Sequence, residues 1–103
     1  MEMETYPLAS IAIGSELQPS RVLAFGRAEL VLITDYGDRS WYIDIDGITD
    51  AELLGWFGRS ENIRVDVRAA DADGKTFRGS GFFHPNERHQ AAAIRGEGEL
   101  KFG

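Results

Sequence analysis

Between Asn62 and Arg68 the chain alternates without a fault. Ile63, Val65 and Val67 lie between Asn62, Arg64, Asp66 and Arg68, the period of a strand with one buried face. A second run, Lys75 to Phe83, follows across Asp71-Ala72-Asp73-Gly74. If Ala72-Asp73-Gly74 is a three-residue loop with Gly74 left-handed, Val67 faces Gly79, Val65 faces Gly81 and Ile63 faces Phe83. A slip of one residue turns Arg78 into the core, so the pattern selects this loop. The same test applies upstream. A hairpin centred on Tyr36-Gly37 sets Leu32 against Trp41, Leu30 against Ile43 and Ala28 against Ile45 on one face. On the other face it sets Val31 against Tyr42, Glu29 against Asp44 and Arg27 against Asp46. Further strands are expected at Leu8 to Ile13 and Arg21 to Phe25, parted by a turn around Ser15 to Ser20, and from about Ala92 to Phe102.

One segment breaks the two-residue period. Thr49 precedes Glu52 by three residues, the spacing of a capping box, with Ile48 and Leu53 placed as a hydrophobic staple. Leu53, Leu54 and Phe57 form an apolar stripe, and Gly58 offers a left-handed stop. Gly55 costs this helix about 1 kcal/mol against alanine, so packing must hold it, and it is expected to plug one end of the sheet. Trp56 is either core or a surface aromatic. The predicted fold is mainly β, a small six-stranded barrel or sandwich with the OB-like order β-β-β-α-β-β. It carries one short helix at about 50–58, in a single β-rich domain over 1–103.

At 103 residues the chain has room for one hydrophobic core, and a 43% hydrophobic content is enough to fill it without a metal or disulfide. The absence of cysteine removes disulfides, thiolate zinc sites and thiol catalysis. The Met1-Glu2-Met3-Glu4 start lacks the basic and apolar regions of a secretory signal, and no apolar run approaches the ~20 residues of a membrane span; the expected location is the cytoplasm. A net charge of -6, with 11 basic residues scattered from Arg21 to Lys101, argues against nucleic acid as the partner.

Three constellations merit weighing as chemistry. The phrases Arg78-Gly79-Ser80-Gly81 and Arg95-Gly96-Glu97-Gly98 could present backbone N–H groups and arginines to an anion. The competing reading is that Gly79, Gly81, Gly96 and Gly98 make room where a barrel strand bends or a large side chain crosses the backbone. Glu29, Asp44, Asp46 and Asp50 are a candidate metal set, but the segment lacks the full calcium-loop pattern and Asp50 also suits the helix start. His84, Glu87 and His89 could be read as ligands or acid–base groups, yet Pro85 and Asn86 interrupt any common face, and Asn86 suits the cap of a short helical turn. No serine sits in a strand–turn–helix elbow. The reading is of a non-catalytic protein-binding or assembly module of a bacterium or mobile element. No enzyme activity and no cofactor are expected. Its partner is another protein or a second copy of itself, reached through Tyr36, Trp56, Arg64, Phe82, His84, Asn86, Arg88 and His89. The alternative is a barrel binding a small anionic nucleotide or phosphate metabolite through Arg78, Arg95 and their glycines. Val31, Ile33 and Tyr42 share the outer face in this register, an apolar strip unusual for a monomer.

Overall fold

The computed structural model describes residues 1–17 and 19–103. Its strands are β1 (Glu2–Gly14), β2 (Arg21–Val22), β3 (Arg27–Asp35), β4 (Asp38–Asp46), β5 (Arg64–Asp71), β6 (Thr76–Asn86) and β7 (Ala91–Phe102), with helix α1 (Ala51–Arg59) between β4 and β5. Two antiparallel meanders, β1-β3-β4 and β5-β6-β7, are joined along both edges by the antiparallel pairs β4–β7 and β1–β5. The result is a closed six-stranded antiparallel barrel with one short helix between its third and fourth long strands. Closure leaves few free strand edges.

Closure depends on β1, which belongs to both meanders. Glu2 to Pro7 pair with β3, and Leu8 to Gly14 pair with β5. The changeover falls at Pro7, which has no N–H to donate, and at an irregularity between Leu8 and Ser10. The sequence reading began this strand at Leu8; the structure begins it at Glu2. Arg21 to Phe25, expected as a full strand, shortens to the two-residue β2 against Ala12 and Ile13, although Leu23 is buried. Gln18, inside the expected turn from Ser15 to Ser20, lies outside the described residues.

Both hairpin registers match the pattern. Leu32, Leu30 and Ala28 face Trp41, Ile43 and Ile45, and the turn holds Tyr36 and Gly37 at positive φ. Val67 and Val65 face Gly79 and Gly81, with Gly74 at φ +89°. The alternation thereby directs Leu30, Ile43, Phe83 and Ile94 into the barrel, where each is 0–1% exposed. The helix closes one end of this core: Leu53, Leu54 and Phe57 are buried, and the Phe57 ring lies 4.4 Å from that of Phe83.

The ends of the helix differ from expectation. Its N-cap is Asp50, not Thr49: Asp50 Oδ1 accepts from the Leu53 N–H at 3.0 Å, and Oδ2 accepts from Arg21 Nη1 at 2.9 Å. A carboxylate at this position also opposes the positive end of the helix dipole. Gly58 lies inside the helix, which ends one residue later at Arg59 with extended Ser60 as its C-cap. A Cβ at Gly58 would meet only the tip of the exposed Glu87 side chain, which can turn aside.

Candidate functional site

One side chain accounts for a glycine in each of the phrases around Arg78 and Arg95. A Cβ added at Gly79 would lie 2.9 Å from Trp41 Cζ2, and one at Gly96 would lie 2.5 Å from Trp41 Cδ2 and Nε1. The indole therefore occupies the space above both glycines, 4% exposed, and its N–H donates to the Gly98 carbonyl at 3.3 Å. Gly81 lies against the Arg95 backbone, where its Cβ would meet the carbonyl at 2.6 Å. Gly98 has φ +71° and marks the irregularity where β7 shifts against β6. The inward faces of Gly79, Gly81 and Gly96 are packed, and the two arginines project outward from different rows of the sheet.

On the outer wall, side chains line up across strands through the registers. One row runs Thr5, Val31, Tyr42, Arg95, Phe82, Arg64, each opposite the next on the neighbouring strand. Val31 is only 3% exposed although it stands outside the barrel's core cluster. Tyr42 and Phe82 are half-buried, while Arg95 and Arg64 are exposed. Met3 and Ile33 extend the apolar end of the row on one side. Arg64 Nε holds Glu97 Oε1 at 3.1 Å. The next row runs Pro7, Glu29, Asp44, Ala93, His84.

The structure brings Arg64 and Phe82 together as direct partners and places His84 one row away. The other expected contact residues are dispersed. Tyr36 stands fully exposed at the far hairpin tip. Trp56 is half-buried on the helix, its ring edge-on to Phe57 at 4.9 Å. His84, Pro85 and Asn86, beyond the expected strand end at Phe83, are the end of β6, and only Glu87 to His89 form a short 3-10 turn. Asn86 is the N-cap of that turn but makes no side-chain cap bond. Arg88 and His89 are exposed on it, separate from His84.

The acidic set does not assemble. Glu29 and Asp44 are opposite one another and Asp46 faces Arg27, whereas Asp50 is committed to Leu53 and Arg21. Among the described residues, no group of three or more His, Cys, Asp or Glu side chains is placed to hold a metal ion. One perturbed ionisation is resolved. The Tyr6 hydroxyl donates to Glu4 Oε2 at 2.6 Å, and that hydrogen bond first, then desolvation and the charges of Glu4 and Asp71, push the phenol above its usual value.

Sequence reasoning missed a third row. Arg68 faces Arg78, and Arg78 faces Lys101, placing three cations side by side on β5, β6 and β7. No family model, curated protein or solved structure matches the chain. Among the described residues, no helix is long and apolar enough to cross a membrane.

Proposed function

We propose that the chain is a non-catalytic protein-binding or assembly module of the cytoplasm that docks through the outer wall of its barrel. The observation that supports this reading most is the unbroken row Tyr42, Arg95, Phe82 and Arg64, presented on four neighbouring strands. Aromatic rings offer large contact area at little entropic cost, and arginine makes forked hydrogen bonds while stacking on them; both are enriched at interface centres. Carried on a closed barrel, these side chains are held in fixed relation before any partner arrives, which lowers the entropy cost of docking.

The charge pattern fits a second copy of the chain. Glu29 and Asp44 stand one row from Arg95 and Arg64. A copy related by a two-fold axis lying in the interface can set the acids of one molecule over the arginines of the other. Replacing Phe82 and Arg64 together by alanine removes the ring and the guanidinium at one end of the row. If each contributes about 1–2 kcal/mol, dimer association measured by sedimentation weakens at least about thirtyfold while far-UV circular dichroism stays unchanged. An unaltered dissociation constant would remove this wall from the assembly surface.

A further inference from the structure

A groove of about 540 Å³ runs along the barrel wall beside the three-cation row, within the range of small-molecule sites. The short side chains Ser10, Ala12 and Ala70 leave the space open, and Val22 and Phe102 supply apolar rims. Val22 is 77% exposed and Phe102 51% exposed, large apolar surfaces left facing this depression. Arg68, Arg78 and Lys101 line one flank.

The cation row breaks a local rule. Like charges directly opposite across a sheet are destabilising, and here two such pairs adjoin in a chain whose acids outnumber its bases 17 to 11. Neutralisation from nearby is incomplete. Glu97 pairs with Arg64, which leaves Asp66, whose carboxylate accepts from the Ser80 hydroxyl at 2.9 Å, and Glu99 as two acids beside three cations. Among the described residues none of the three makes an ion pair.

The β7 irregularity creates this arrangement. Ser80 faces Glu97, so an unbroken register would set Arg78 opposite Glu99, a favourable pair of opposite charges. Two extra residues of β7 around left-handed Gly98 instead bring Lys101 opposite Arg78. Irregularities of this kind re-aim side chains near functional sites, and departures from local consistency concentrate there.

We propose that the groove binds a small amphiphilic anion: a phosphate monoester head held by Arg68, Arg78 and Lys101, with a short apolar tail along Ala12, Ala70, Val22 and Phe102. Arginine forks match phosphate oxygens bidentately, and Lys101 adds a point charge. The anion supplies the negative charge the row lacks. This site is separate from the Arg64–Phe82 docking row and stands without it.

The test uses n-hexyl phosphate as probe, followed by amide chemical shifts and melting temperature, with inorganic phosphate, hexanol and phosphatidic-acid vesicles alongside. Hexyl phosphate is expected to shift the amides of Ala12, Ala70 and Lys101 and to raise the melting temperature with concentration. Inorganic phosphate should bind at least about tenfold more weakly, and hexanol should leave the spectrum unchanged. Arg78→Gln should weaken hexyl phosphate at least about tenfold, and Arg27→Gln on the far rows should not. Ala70→Leu, which fills the tail channel, should weaken hexyl phosphate but leave inorganic phosphate as before. Absence of a response at about 10 mM hexyl phosphate, or an equal response from the Arg78→Gln protein, would overturn the proposal. Binding to vesicles but not to the soluble ester would overturn it too, in favour of a lipid surface.

Discussion

Gly96→Ala separates the packing account of the glycine phrases from an anion cradle. The added methyl would overlap Trp41 Cε2 and start 2.5 Å from Cδ2 and Nε1, against the 3.4 Å of ordinary contact, so the indole must retreat by about 1 Å. It has little freedom to do so, being 4% exposed and tied to the Gly98 carbonyl. Overpacking a rigid core site costs about 2–3 kcal/mol, which at a slope of about 1.3 kcal/mol per molar urea lowers the unfolding midpoint by about 2 M. Trp41→Leu supplies the control. It is itself destabilising by about 3 kcal/mol, but it opens the volume into which the new methyl projects. In that background Gly96→Ala should be neutral or stabilising, a coupling above about 1 kcal/mol. Urea titrations of the four proteins by far-UV circular dichroism measure it. An unchanged midpoint for Gly96→Ala, or the same loss in both backgrounds, would refute the packing argument.

Other consequences are equally specific. Asp50→Ala should cost about 1 kcal/mol of thermal or urea stability through loss of the helix cap, whereas Thr49→Ala should change it by less than about 0.5 kcal/mol. Gly37→Ala, open sterically but at φ +84°, should cost about 1 kcal/mol, and a residue with its own preference for positive φ, such as asparagine, should recover part of it. Glu4→Gln should lower the Tyr6 ionisation toward the usual tyrosine value in an ultraviolet pH titration, because the carboxylate acceptor of its hydroxyl is gone.

The two hairpins were legible because an error in either had a visible consequence: one slip would have buried Arg78 or exposed the Val65–Val67 face. The outer row of Val31, Tyr42, Arg64 and Phe82 followed from the same alternation. The start of β1 was not legible, since Met1-Glu2-Met3-Glu4 offers few strand formers and Pro7 reads as a break, whereas long-range pairing with β3 determines it. The helix cap moved by one residue because Asp50 can bond Arg21 as well as Leu53, a contact 29 residues away in sequence. The role of the paired glycines needed the position of Trp41, on another strand. The cation row was half hidden for a further reason: Arg68 opposite Arg78 is implicit in the β5–β6 register, but Lys101 joins them only through the shift of β7 around Gly98, and no local pattern announces that shift.

Light scattering after size-exclusion chromatography, taken across a wide range of concentration, tests the docking account most directly. A concentration-dependent dimer, reduced to an 11.4 kDa monomer by the Phe82→Ala/Arg64→Ala pair, is the predicted result. A parent chain that stays at the monomer mass throughout would contradict assembly through this wall.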